Sequence, residues 1–372
     1  MEWLSKRFEL SRGGEAHNIR TMEGLRGLAI FLVFWVHYIT LVTPWIAGRP
    51  TLLSLGQIAH GMGNIGVDLF FVLSGYLIYG SLIARRQNFW RYMARRIQRI
   101  YPTFLVVFVI YLWLSLVWPS QSKLPHGFVS GFVYLIQNFL LLPGICSIQP
   151  MITVAWSLSY EVFFYLTIPM VIAVLDLRQH SSQWRIALFS MVAIVGLLAS
   201  AALGGPVRML MFLSGVLLYE VVQFRKNMTV SSTGGMVALV LGLCFTIVSV
   251  PGNVGGAQLT AVLFVTFFLL CLACFTDGSN RLPRLLCWTP LRWLGNMSYS
   301  YYLLHGLALK AAFAVMGVLV PATGQEALLA WTMLPVMFAW TLIASALLFV
   351  FVERPFSLMP KTSGRVLQTN AI

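Results

Sequence analysis

Apolar runs of about twenty residues recur from one end of this chain to the other, and they limit its fold more than any other feature. Inside hydrocarbon a backbone must satisfy its own N–H and C=O groups, which leaves only helices and closed barrels. Ten-residue alternating strands are absent, which excludes an outer-membrane barrel. The runs lie at about 22–43, 60–83, 101–118, 154–175, 185–203, 206–224, 234–251, 257–276, 297–320 and 328–352, ten in all. Residues 127–143 are also apolar but short and interrupted, and they read as a re-entrant or interfacial segment. The expected fold is therefore an all-α polytopic membrane protein of about ten transmembrane helices.

Charge sets the expected orientation. If the N-terminus is inside, 20 of the 25 Lys and Arg fall in inner segments. Only Arg49, Lys123 and Arg208 fall outside, and Arg26 and Lys310 lie within spans. Such a bias predicts both termini in the cytoplasm of a multi-pass inner (plasma) membrane protein. It also explains the net charge of +14 without invoking nucleic acid, which is not expected as a partner. The first apolar run is too long for a signal h-region and lacks a small-residue cleavage pattern, so it reads as a retained span. The five cysteines imply no disulfide framework. Cys271 and Cys274 lie inside an apolar run, where core packing is the simpler reading. The expected organisation is a cytoplasmic arm over 1–20, a membrane domain over 21–357 and a cytoplasmic tail over 358–372.

The first span carries two ionisable residues, Arg26 and His37, eleven residues apart. At about 100° per residue they share one helix face, about 16 Å apart along the axis. Titratable groups inside a membrane are costly and usually face a bundle interior or a pathway. The plain alternative is that Arg26 marks the inner end of the span and His37 is a satisfied core histidine. Other spans carry Asp68, Glu161 and His305. From the span ends, Asp68 and Glu161 lie roughly 10 Å below the outer surface, and His37 lies roughly 15 Å above the inner end. His305 lies roughly 12 Å above it. A carboxylate beside His37 would fix its tautomer, and together these groups have the composition of a general-base site. A purely structural hydrogen-bond cluster is the competing reading.

Six arginines cluster between 85 and 99, and Arg91, Arg95 and Arg99 form a stripe. The stripe is either topogenic or a bed for a polyanionic cytosolic ligand, with Arg99 and Arg96 nearest the membrane. Two more stripes follow helical spacing: Ser157, Glu161 and Tyr165, and Ser298, Tyr302 and His305, with Tyr299 beside the second. Ser74-Gly75 reads as a close helix contact. Pro355 reads as the stop of the last helix, where Glu353 can pair with inner arginines. His60 reads as solvated at the outer end of the second span.

These residues fall in segments that resemble, in order, the integral-membrane acyltransferase 3 family. The segments are RTMEGLRGLAIFLVFWVH, GVDLFFVLSGYLI, RRIQRIYP, WSLSYEVFFYL, LGNMSYSYYLLH and ERPFS, from residue 20 to 357. One departure is Tyr160 after Ser159, where a small or β-branched residue is common. The resemblance implies transfer of an acyl group, usually acetyl from cytosolic acyl-CoA, to a hydroxyl of an extracytoplasmic or lipid-linked glycan. Its Arg–His pair falls on Arg26 and His37, its span-two acid on Asp68 and its WSLSxE glutamate on Glu161; with the arginine stripe this makes His37, Asp68 and Glu161 the candidates for chemistry and Arg26, Arg99 and Arg96 those for the donor. His305, Tyr299 and Ser298 are further candidates. No metal and no bound cofactor are expected; acetyl-CoA enters as a substrate. A proton-coupled transporter or flippase is the runner-up, because it also needs intramembrane His and carboxylates. A non-catalytic assembly subunit is a third reading.

Overall fold

The computed structural model describes residues 2–10, 17–225, 230–276, 281–324 and 327–358. Arg12, Lys226, Lys361, Arg365 and the tail expected after Pro360 lie outside the described residues. The chain is an all-α polytopic membrane protein. Among the described residues the one β feature is an isolated bridge between Pro143 and Cys146.

A short arm, α1 (Glu2–Phe8), precedes α2 (His17–Ile46), which is the first span. The second span is longer than its sequence implies. It begins at Pro50, a residue suited to the first turn of a helix, and runs as α3 (Pro50–Asn64) and α4 (Gly66–Ala84) around a break at Ile65. His60 thus lies within α3, half-buried. α5 (Phe89–Val117) starts at an Asn88 cap, whose side chain accepts from Arg91 N, so most of the arginine cluster is helical. The interrupted segment is α6 (Phe128–Phe139). Next come α7 (Trp156–Val174), α8 (Ser182–Leu203), α9 (Met211–Phe224), α10 (Ser232–Val248) and α11 (Asn253–Thr276). Two short helices, α12 (Arg281–Leu286) and α13 (Thr289–Asn296), lead into α14 (Ser298–Leu319) and α15 (Ala327–Leu348).

The expected stop at Pro355 is not there. The chain continues past α15 as a π-helix, Phe349–Leu358, with Pro355 inside it. The wider turn moves the earlier carbonyls away from the proline ring, so the residue that would end an α-helix is tolerated. The same turn buries Glu353 completely.

Nine helices among the described residues are long and apolar enough to cross a membrane. Phe8 stacks on Phe349 with ring centroids 5.6 Å apart, so the chain returns to the end of the bundle where it began. That return needs an even number of crossings. α6, 12 residues, is about 18 Å long, too short for a core of about 30 Å. α10, 17 residues or about 25 Å, comes nearer to that thickness than α6 does.

Two glycine-mediated crossings hold the site together. A Cβ at Gly75 would lie 2.1 Å from Phe212 O, and one at Gly215 would lie 2.0 Å from Val72 O, so α4 and α9 touch backbone to backbone. A Cβ at Gly27 would lie 2.1 Å from Leu291 O, and one at Gly295 would lie 1.8 Å from Glu23 O. That second contact presses the start of α14 against α2. Any side chain at these four positions would push the helices apart.

The bundle also contains an ionic knot that sequence reasoning missed. Glu220 is fully buried and takes two bonds from Arg185, at 2.7 and 2.9 Å, and one from Tyr79 OH at 2.5 Å. At the end where Phe8 meets Phe349, Arg292 bonds Glu23 and Glu9, and Trp293 donates to Glu9. Burial works against the Arg292 charge, but these bonds outweigh it and raise its pKa above the ordinary value. Cys271 and Cys274 are free and buried, as core packing predicts.

Candidate functional site

The site is built on α2, α14, α7 and α4. α2 contributes Arg26 and, three turns on, His37. α14 contributes Ser298, Tyr302 and His305 from one face. Because α2 and α14 lie side by side, these residues meet in order. Arg26 Nη2 donates to Ser298 Oγ at 2.8 Å. Farther along, the His37 and His305 rings meet edge to face, with centroids 4.8 Å apart.

His305 is fully buried, and its Nδ1 lies 2.8 Å from Tyr301 O. A carbonyl only accepts, so Nδ1 carries the proton and Nε2 of the neutral ring is an acceptor. That Nε2 is buried with no hydrogen-bond partner among the described residues. The pair therefore offers a half-buried imidazole, His37, braced by a second ring whose tautomer is fixed from behind.

The α7 stripe meets the α14 stripe. Ser157 Oγ and Tyr302 OH are 2.7 Å apart, and Tyr302 OH also lies 3.2 Å from Val154 O. Four residues after Ser157, Glu161 accepts from Tyr165 OH at 2.6 Å and from Ser74 Oγ at 3.2 Å. Gly75 makes the close helix contact expected of Ser74-Gly75, and Ser74 itself holds Glu161.

Between these elements lies a cavity of roughly 300 Å³. Arg26, Arg96 and Arg99 line it, together with Glu161, Ser298 and Tyr302. Its volume is at the lower end for a small-molecule site. Arg96 lies over the rings of Tyr92 and Tyr165, 5.2 Å from each centroid, and its Nε is buried without a hydrogen-bond partner among the described residues. Arg99 is ion-paired to Glu353 at 2.5 Å and lies over the Tyr299 ring. Tyr299 OH donates to Ile100 O. His37 and His305 are outside the cavity, but Tyr302 belongs to both regions: it lines the cavity, and its ring is 6.2 Å from His305.

The structure thus joins Arg26, Arg96, Arg99, Glu161, Ser298 and Tyr299 around one space. It places His37 with His305 at the edge of that space and sets Asp68 apart. Asp68 is bound by Arg208 through two bonds of 2.9 and 2.8 Å, and Arg208 also donates to Asn64 O at 2.6 Å. Arg208 further covers the Trp156 ring. The expectation that Asp68 or Glu161 orients His37 is therefore corrected: the ring beside His37 is His305, and both carboxylates bond elsewhere. Nor do the two acids share a depth. Glu161 meets Ser74, six residues and about 9 Å along α4 from Asp68. Arg208, read from sequence as an outer-loop residue, proves to be the partner of Asp68. The signal available was the rule that an intramembrane acid seeks a cation.

With this geometry established, comparison with known proteins is informative. The model of a family described as an acyltransferase domain matches residues 19–350. The peptidoglycan O-acetyltransferase OatA of Listeria monocytogenes is 26% identical, with 91% of this chain and 55% of that protein covered. O-acetyltransferase OatA of Staphylococcus aureus is 25% identical, with 80% of this chain and 52% of that protein covered. Acyltransferase MdmB of Streptomyces mycarofaciens is 29% identical, with 90% of each chain covered. The chain spans about half the length of the two OatA proteins. No solved structure matches the chain.

Proposed function

From the premise that this chain belongs to the acyltransferase 3 family, whose domain covers residues 19–350, we propose that it is a membrane O-acyltransferase that moves an acetyl group from acyl-CoA to a hydroxyl of a glycan. The observation that carries this reading is the arginine-lined cavity abutting the buried histidine pair across Tyr302. A donor of this class has a polyanionic head, which suits guanidinium groups, and a slender neutral arm, which suits a cavity walled by aromatic and aliphatic side chains. Arg99 is already paired to Glu353, whereas Arg96 Nε has no hydrogen-bond partner among the described residues, so Arg96 has the greater share of donors for phosphate.

His37 acts as the general base. Its imidazole takes the proton of the acceptor hydroxyl as the oxygen attacks the thioester carbonyl. A new C–O bond forms and the C–S bond breaks. The imidazolium returns its proton to the departing CoA thiolate, so acid and base balance within one residue. His305, with its proton fixed on Nδ1, holds the His37 ring in place. Glu161 has a different role from the one its depth suggested, shaping the cavity through Tyr165 and Ser74 rather than orienting His37. The peptidoglycan named for the Listeria monocytogenes relative supports a glycan acceptor. The charge bias supports a plasma-membrane protein with both termini inside.

This reading fixes the side of each substrate. Acyl-CoA is too polar to cross whole, so it works only from the face where the arginines of α5 emerge. The acylated glycan appears on the opposite face. Oriented vesicles supplied with radiolabelled acetyl-CoA test this directly. Thioester consumption from the arginine face alone, with product on the other, is expected. Equal use of acyl-CoA from both faces, or substrate flux with no acyl transfer, overturns the proposal.

A further inference from the structure

Two residues of the cavity wall keep a hydrogen-bonding capacity that the folded bundle does not use. Glu161 is half-buried, and both of its bonds, from Tyr165 OH and Ser74 Oγ, go to the same oxygen, Oε1. Oε2 accepts from no described residue, and it is not sealed in the core as Arg96 Nε and His305 Nε2 are. Because Glu161 lines the cavity, that accessible oxygen belongs to the cavity wall. Ser298, which also lines the cavity, is the complementary case. Its Oγ accepts from Arg26 Nη2 at 2.8 Å. A guanidinium only donates, so the hydroxyl keeps its own hydrogen, for which the described residues supply no acceptor. Accepting from a cation polarises that hydroxyl and strengthens it as a donor.

The acceptor and the donor lie at one level. Ser157 on α7 touches Tyr302 on α14 at 2.7 Å. From that contact both helices lead toward the arginines. Glu161 is four residues after Ser157, and Ser298 is four residues before Tyr302, each about 6 Å along its helix. Ser298 is held by Arg26, and Tyr165, one turn past Glu161, lies under Arg96. In the other direction, His305 is three residues, or about 4.5 Å, beyond Tyr302, and it meets His37. Glu161 Oε2 and the Ser298 hydroxyl thus share one cavity at about 10 Å from the level of the histidine pair. A trans secondary amide presents its N–H and its C=O on opposite edges of one plane. An accepting wall and a donating wall at one level suit such a group.

We propose that Glu161 and Ser298 clamp a secondary amide in the arm of the acyl donor, Glu161 Oε2 accepting from its N–H and Ser298 Oγ donating to its C=O. This rests on the reading of acyl-CoA as the donor. The pantetheine arm of that donor carries two amides, separated from the thioester and from each other by four-bond steps. An extended chain advances about 3.5 Å per three bonds, so the two N–H groups lie roughly 5 and 10 Å from the thioester carbon. With that carbon at the histidine pair, the amide farther from sulfur reaches the clamp. The rest of the arm then leads on toward Arg96. The arm itself, and not only its phosphates, is therefore recognised: a thioester on a plain alkyl arm leaves both clamp groups unpaired.

Equilibrium binding to the detergent-solubilised full chain, with no glycan present, tests the proposal. The probes are acetyl-CoA and three analogues: one with an ester oxygen in place of the far N–H, one with a trans-alkene in place of the whole far amide, and one with the ester at the amide nearer sulfur. The wild type should bind the far ester about ten-fold or more weakly than acetyl-CoA, the size of one hydrogen bond to a charged group. The far alkene should be weaker again by about three-fold, the size of a neutral hydrogen bond. The near ester should bind like acetyl-CoA. Glu161→Gln, which can still accept from Tyr165 and Ser74, should no longer prefer acetyl-CoA to the far ester. Ser298→Ala should no longer distinguish the far ester from the far alkene. Each comparison is between ligands on one protein, so a loss of stability does not imitate it. Far analogues that bind the wild type like acetyl-CoA, a loss confined to the near ester, or a preference that persists in its variant overturns the proposal. Acetyl-CoA that fails to bind the wild type at all defeats the donor reading and this inference with it; acetyl-CoA that binds no better than the far analogues defeats this inference alone.

Discussion

The two halves of α14 differ sharply in how their polar groups are used. From Ser298 to Tyr302 every one has a partner. Ser298 holds Arg26, Tyr299 reaches Ile100 O, and Ser300 bonds Glu353 through both its N and Oγ. Tyr301 meets Thr341, and Tyr302 meets Ser157. From His305 onward the pattern reverses. His305 Nε2 is buried without a partner among the described residues. In a membrane an unsatisfied polar group is expensive, so the contrast is informative. The first half is the frame that locks five helices together, and the second half is left open for molecules that come and go.

Three substitutions probe that contrast, in decreasing order of effect. His37→Ala should cut acyl transfer by roughly 10²–10⁴-fold, the usual worth of a general base, with little change in thermal unfolding. Turnover near the wild-type level would remove His37 from the chemistry and leave the open half without a function. Glu353→Ala should act the other way. It strands Arg99 and the Ser300 N–H, and breaking a buried pair costs about 3–5 kcal/mol, to be read from unfolding in detergent. Unchanged stability would mean that the paired half of α14 is not a frame. Ser74→Ala removes one bond to Glu161 and should cost about 0.6 kcal/mol, typical of a hydrogen bond inside a membrane protein. A fall in turnover of more than about ten-fold would instead place Ser74 in the reaction itself.

The frame and the open half were unequally legible in the sequence. Helical spacing alone put Arg26 and His37 on one face and grouped Ser298, Tyr302 and His305, because periodicity is a local property of one helix. It could not say which stripe faces which. That Ser157 touches Tyr302, and that His305 rather than a carboxylate stands beside His37, depends on how α2, α7 and α14 cross. Those crossings are set by contacts such as Gly27 on Leu291 and Gly75 on Phe212, each joining residues far apart in the chain. Pairings of charges were hidden for the same reason. Asp68 and Arg208 are 140 residues apart, and Glu220 has no motif around it at all. Glu353 with Arg99 was readable only because an acid closing the last helix has inner arginines as its natural partners.

The meeting of the first span with the last ones has a consequence for how the protein is made. Arg26 waits for Ser298 across 272 residues of chain, and Glu23 waits for Arg292 across 269. At about 5–20 residues per second, the ribosome takes roughly 15–55 s to supply those partners. For that time the first helix lacks the partners that Ser298 and Arg292 supply in the finished bundle. The closing contacts form only when Phe8 finds Phe349, near the end of synthesis. A chain cut short after α11 would never receive those partners, giving membrane quality control a mark by which to recognise an unfinished copy.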